Sequence, residues 1–230
     1  MCEMSDATAQ TPAAPARRRV VPRAERERQM LEAAMALFTE RGFDGVAMDQ
    51  IAEAVGITKP MLYSYFDSKE GLYVACIELH ARPLLETVQG AIHPDDPPET
   101  QLWNGLRAFF HFIDDNRREW SAFYVEGAGR GGSAAERIDQ LRGEIADAVT
   151  VLLRRTAVEA GISPELQNEL EVQARAAIGS AEALARWWIE NPDQADADLL
   201  ALRLMNFTWM GWGDLLEGDI WLPPSEPADD

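Results

Sequence analysis

Residues 47–70 read AMDQIAEAVGITKPMLYSYFDSKE and decide the fold. In the first half, Met48, Ile51 and Val55 recur at helical spacing and form one apolar face, with Ala52 small where a second helix must cross closely. Gly56 then supplies the left-handed or open backbone that side chains resist. Ile57 can close over the turn. Thr58 suits an N-cap for a helix running through Met61, Leu62 and Tyr65. Two helices joined this way form a helix-turn-helix unit, whose second helix lies in a DNA major groove. The expected partner is double-stranded DNA.

Working outward, a first helix is predicted from about Ala24 to Arg41, with Met30, Ala34, Leu37 and Phe38 on one face and Gly42 ending it. Asp67 or Ser68 caps a fourth helix carrying Leu72, Cys76 and Leu79. Pro94, Pro97 and Pro98 mark a loop, followed by helices over about 99–116 and 119–127. The run GAGRGGS at 127–133 reads as a flexible breaker. A long helix is predicted over about 134–159, ended by Gly161. Ser163-Pro164 starts the next, Asn191-Pro192 stops it, and a last helix covers roughly 196–217. No strand-like alternation appears, so the fold class is all-α.

The ordered string from Arg26 to Glu78 resembles the tetracycline-repressor (TetR) family of bacterial transcription regulators. It holds Met30, Ala34, Leu37 and Phe38, then Gly42-Phe43, Ile51-Ala52 and Gly56-Ile57-Thr58-Lys59. Leu62-Tyr63, Tyr65-Phe66, Ser68-Lys69-Glu70 and Leu72 complete it. The resemblance implies a homodimer in which an N-terminal three-helix DNA-binding head, completed by a fourth helix, joins a larger helical domain that binds an effector and dimerises. The corresponding boundaries are an arm at 1–22, the head at 23–70, the effector and dimerisation domain at 71–220 and a tail at 221–230. Ligand binding usually releases the operator in this family. Ala47 departs from the pattern. The family usually has Ser or Thr there, capping the helix and touching a phosphate; either that contact is absent or Asp49 or Gln50 replaces it.

Carried over position by position, Lys59 and Met61 are the expected base or groove contacts, beside Thr58 and Pro60 at the start of the recognition helix. Pro60 equally suits simple helix initiation. Tyr63, Tyr65 and Lys69 match positions that touch phosphates or flank bases, and each could instead pack within the head. Leu62 and Phe66 read as core.

At 230 residues and 47% hydrophobic, the chain can bury an ample core. Its net charge of −18 is uneven: residues 1–80 hold 9 basic and 12 acidic residues, and residues 81–230 hold 12 and 27. Most of the charge that would repel DNA therefore sits in the second part. Arg17, Arg18, Arg19, Arg23, Arg26 and Arg28 make a local basic arm, suited either to a groove or backbone contact or to a solvated tail.

In the body, Trp103, Phe110, Trp120, Phe123 and Tyr124 are the candidate walls of an apolar effector pocket, with His111 or Glu126 as polar contact. Core packing is the alternative for each. The acidic body would suit a cationic lipophile, or it only confers solubility. In the predicted last helix, Leu200, Leu204, Phe207 and Leu215 share one side, while Met205, Trp209, Trp212 and Leu216 share the other. In the preceding helix Ala176, Ser180, Ala183 and Trp187 line a second face. Two apolar stripes imply contacts on both sides; the resemblance places the second stripes in a four-helix dimer interface, and packing within the subunit is the alternative.

The three histidines show no ligand spacing with the two cysteines, so no metal or cofactor is expected. No phosphate loop or catalytic constellation is visible, which argues against an enzyme. No apolar run reaches the ~18 residues of a membrane span, and no secretion signal opens the chain, so a cytoplasmic protein is expected. Two functions compete: a ligand-responsive repressor on a palindromic operator, and a ligand-independent architectural DNA binder.

Overall fold

The computed structural model describes residues 22–159 and 169–217, and every regular element among them is helical. Helix α1 spans Arg23–Arg41, α2 Met48–Val55, α3 Lys59–Phe66 and α4 Lys69–Ala91. Helix α5 covers Pro98–Asp115. A short α6, Arg117–Trp120, passes into a π-helical turn, Ser121–Val125, and then into α7, Glu126–Arg130. Helix α8 spans Gly132–Glu159, α9 Glu169–Glu190 and α10 Ala197–Glu217, the last two joined through a 3-10 turn at Pro192–Gln194. Expectations for Arg17–Arg19, Gly161, Ser163-Pro164 and the tail from 221, and for the side chains of Leu215 and Leu216, lie outside the described residues.

Helices α1 to α3 close a small head around Met30, Ala34, Phe38, Ile51 and Leu62, all at 0% exposure. Helix α4 starts in that head, where the Ser68 hydroxyl accepts from the Gly71 N–H at 2.9 Å. It then runs on between α5 and α8. Its residues Leu72, Tyr73, Cys76 and Ile77 extend the head core, and Ala81 and Leu84 continue it into the body. Tyr73 sits at the crossing. Its ring meets Phe38 edge-on at 5.2 Å and Phe123 at 5.4 Å, and its hydroxyl donates to the Ala122 carbonyl on the π turn. A buried hydroxyl needs such a partner, so head and body share one anchored junction.

The GAGRGGS segment is helical as far as Arg130, and the break narrows to Gly131 and Gly132, with φ of +76° and +62°. Close packing explains the correction: a Cβ on Gly127 would stand 3.0 Å from Ile138 Cδ1. The last helix needs a second correction. Its inward arc runs through Ala197, Leu200, Ala201, Leu204 and Thr208 against α5. Phe207 lies off the edge of that arc and is 73% exposed, so it does not share the side of Leu200 and Leu204.

Candidate nucleic-acid interface and effector cavity

The turn between α2 and α3 is made by Gly56 at φ 73°, ψ 35°. A Cβ there would meet nothing within 4 Å, so the left-handed backbone, rather than space, demands glycine. The N–H groups of Gly56 and Ile57 close the helix end on the Glu53 and Ala52 carbonyls at 3.0 and 2.9 Å. Thr58 occupies the N-cap position, yet its side chain makes no capping bond, contrary to the capping role expected. Leu62 and Phe66 seat α3 in the head core, while Thr58, Lys59, Pro60 and Tyr63 remain exposed on its other side. That division is what a helix presented to a groove requires.

At the α2 start, Ala47 offers no acceptor, and Gln50 takes over part of the cap: its Oε1 accepts from the Ala47 N–H at 2.8 Å. Lys59 pairs with Asp49 at 3.0 Å, both exposed, and this contact raises the Lys59 ammonium above its ordinary range. An exposed pair of this kind is weak, so a phosphate or base edge can displace Asp49.

Helix α1 supports the face from behind, which the linear pattern did not show. The Arg26 guanidinium donates to the Met61 sulfur at 3.5 Å, and Arg23 lies 4.9 Å over the Tyr65 ring. Met61 and Tyr65 are accordingly half-buried. Arg28 is occupied by Glu25 and Glu32 at 2.8 and 2.5 Å. Lys69 sits 4.1 Å over the Phe43 ring, which Arg130 of α7 also covers at 3.9 Å, and burial lowers the Lys69 ammonium from its ordinary range. Lys69 thus packs at the seam between head and body, with Asp44 holding Arg130 at 2.8 Å.

The body contains a cavity of about 150 Å³ between α4, α5, the α6–π segment, α8 and α9. Its walls are Leu84, Leu85, Val88 and Ile92, then Leu102, Gly105, Leu106 and Phe109. Trp120, Tyr124, Ile138, Leu141, Ile145, Val149, Ala177, Ile178 and Ala181 complete the apolar surface. Besides the Trp120 indole, the polar side chains among the lining residues are those of Gln101, Tyr124, Arg142 and Glu182. Arg142 donates to Glu182 at 2.7 Å and to Asp139 at 2.7 Å. Burial nevertheless leaves the Glu182 carboxyl above the usual carboxylate range, against the pull of Arg142.

Of the expected pocket residues, Trp120 and Tyr124 line this space, their rings stacked at 4.2 Å. Phe110 and Phe123 are fully buried in the core and do not line this cavity. Trp103 packs half-buried against the core outside the wall. His111 is exposed and lies 2.9 Å from Asp198, which Arg107 also holds at 2.7 Å. Glu126 borders a separate open groove with Thr39 and Arg117. The aromatic-rich segment thus supplies two expected rings, Trp120 and Tyr124, to the wall, while Phe110 and Phe123 fill the core instead of bounding space. Small residues such as Gly105 and Ala181 carried the missed signal.

On the outer faces, Ala176, Ala183 and Trp187 are exposed and Ser180 half-buried, while Met205 and Trp209 are half-buried. The side chain of Trp212 lies outside the described residues. Among the described residues no group of His, Cys, Asp and Glu is gathered as for a metal, and no helix is long and apolar enough to cross a membrane.

A helix-turn-helix with an exposed recognition helix, joined to a helical body that encloses an apolar cavity, defines a DNA-binding regulator of the two-domain helical kind. The chain belongs to the TetR family: residues 30–76 match the bacterial regulatory proteins of the tetR family, and residues 98–211 match the tetracyclin repressor-like C-terminal domain. It is similar to the HTH-type transcriptional activator FasR of Mycolicibacterium smegmatis, 28% identical over 83% of this chain and 84% of the relative. It is also similar to IcaR of Staphylococcus aureus, a negative transcriptional regulator of a biofilm operon, 30% identical over 43% of this chain and 51% of that one. Among solved structures, a TetR-like regulator from Rhodococcus sp. RHA1 matches with a TM-score of 0.64 and 30% identity, covering 84% of this chain and 98% of the other. FadR of Bacillus subtilis, solved in complex with stearoyl-CoA, shares the fold at a TM-score of 0.66 and 14% identity, covering 79% and 96%.

Proposed function

We propose that this transcription regulator acts as a cytoplasmic homodimeric repressor that binds a palindromic operator and releases it when a small lipophilic molecule fills the body cavity. The head at 23–70 supplies DNA contact through Thr58, Lys59, Pro60, Met61, Tyr63 and Tyr65. The body at 71–220 supplies effector binding and dimerisation. Exposed Ala176, Ala183 and Trp187 on α9, with Val172 at 61% exposure and Leu202 and Phe207 on α10, support a second copy as the partner. An apolar stripe of that kind needs cover.

The observation that carries the reading is the connection between cavity and head. Trp120 and Tyr124 form a cavity wall on either side of the π turn's Ala122, and that residue's carbonyl holds the Tyr73 hydroxyl of α4. Tyr73 in turn packs on Phe38 of the head. π turns inserted in helices concentrate at functional sites. A ligand that prefers a shifted turn therefore shifts the head and the population competent for DNA. The stearoyl-CoA bound by FadR of Bacillus subtilis supports a lipophilic effector here. A second reading, activation, draws support from the similarity to the activator FasR; the same DNA binding serves either sign, set by operator position.

The test is fluorescence anisotropy of the full chain on DNA flanking its own gene, with and without fatty acyl ligands. Release at ligand concentrations that saturate the cavity is expected. Saturation without any change in DNA affinity would contradict the effector role and favour a ligand-independent DNA binder.

A further inference from the structure

We infer that Asp49 is a specificity-determining residue: docked with Lys59 as one unit, it reads a G·C base pair in the major groove, Lys59 taking guanine and Asp49 taking cytosine. This rests on α3 being the recognition helix of a DNA binder. Residues 47–66 hold two acids, Asp49 and Glu53, against a single cation, Lys59. A carboxylate at a DNA surface is repelled by phosphate, so Asp49 lowers affinity unless a donor on the DNA faces it. Two elements hold the pair in place. Asp49 stands in the first turn of α2, seated by buried Met48, Ile51 and Ala52, and Lys59 is the first residue of α3, seated by Leu62 and Phe66. The Gly56 turn brings them together, and Lys59 Nζ donates to Asp49 Oδ2 at 3.0 Å. Their side chains are 47% and 67% exposed, so both are open to a partner arriving from solvent. The first residues of a recognition helix face base edges, and the bond to Lys59 keeps Asp49 beside them.

The chemistry of the pair selects its target. An ammonium has three N–H donors; with one on Asp49, two remain. Guanine sets two acceptors side by side, N7 and O6, and the paired cytosine sets its N4 donor next to O6. O6 and N4 are hydrogen-bonded to each other within the base pair, which spaces them about 2.9 Å apart. That matches the 3.0 Å from Nζ to Oδ2. The two remaining N–H groups meet N7 and O6 while the carboxylate accepts from N4. In an A·T pair the N6 donor falls between the N7 and O4 acceptors, so the ammonium reaches one acceptor only. A phosphate offers acceptors alone and has to displace Asp49. The pair therefore weakens indiscriminate contact and favours one base pair.

The test starts from duplexes that the full wild-type chain selects out of a random library. The position whose preference is lost in Lys59→Ala is expected to be G·C in each half-site. In fluorescence anisotropy, changing that pair to A·T should weaken wild-type binding roughly 5- to 150-fold. Asp49→Ala should remove most of this discrimination and tighten binding to random duplex, with a salt slope steeper by about 0.9 as Lys59 turns to phosphate. Asp49→Asn guards against damage to α2, since it keeps the shape and loses the charge; it should tighten binding to random duplex likewise. An A·T pair, or no defined base, at the Lys59-dependent position would overturn the proposal and leave DNA binding standing. Discrimination and salt slope unchanged in both Asp49 variants would also overturn it, reducing Asp49 to an acidic partner of the α2 dipole. Failure of the wild type to bind any duplex removes the DNA-binding reading itself.

Discussion

The recognition face and the effector cavity are built in opposite ways. The face comes from consecutive residues, Gly56 to Phe66, whose conformation is set by one left-handed glycine and two buried anchors, Leu62 and Phe66. The cavity is assembled from side chains between Leu84 and Glu182 on separate helices. The difference predicts where damage falls. Substitutions on the face should alter DNA binding and spare the fold, and substitutions in the cavity wall should cost stability first.

The largest effect tests the second half of that contrast. Trp120 is 3% exposed and stacked on Tyr124. Trp120→Ala is expected to lower unfolding stability by about 3–5 kcal/mol in urea denaturation. A loss under about 1 kcal/mol would mean that the wall collapses freely and the cavity is not a built feature.

The face is tested by Lys59→Ala. Operator affinity should fall roughly 10- to 100-fold, as for loss of a base contact. The denaturation midpoint should stay put, because the exposed Asp49 pair is weak. Unchanged DNA binding would remove Lys59 from the interface. Gly56→Ala is the exception that sharpens the rule. It is a face-side change with open space for the new methyl, so only the left-handed backbone opposes it, at about 1–2 kcal/mol.

How much could be read from the chain follows the same division. The helix-turn-helix, its glycine and its seated leucine were legible because each is a local conformational demand. The cavity was legible only through Trp120 and Tyr124, since its polar members Gln101, Arg142 and Glu182 lie far apart and carry no shared spacing. Phe207 was misplaced because the width of the buried arc on α10 is set by α5, not by the helix itself. Likewise, Arg130 reaches Asp44 and Phe43 only through the tertiary fold.

The smallest effect concerns the junction between the two regions. His80 is 5% exposed, its Nε2 has no partner, and rings of Phe112, Phe123 and Tyr124 surround it at 5.7 to 6.0 Å. Burial lowers its pKa against the opposing pull of Glu119. The unfolded chain therefore binds the proton more readily. Stability is full above the ordinary histidine value of about 6.5 and is lost as pH falls from there toward the lowered folded value. His80→Leu should flatten this part of the pH profile in thermal melts; an identical slope in the variant would assign it to other groups.

The central claim is that the helix after Gly56 enters a major groove in two symmetry-related copies. Selection of binding sites from a random duplex library by the full chain tests it most directly. An enriched inverted repeat, with half-sites about 34–36 Å apart or a multiple of that and weakened selection by Lys59→Ala, is the predicted result. Recovery of no common sequence, or of a repeat indifferent to every exposed residue of α3, would contradict it.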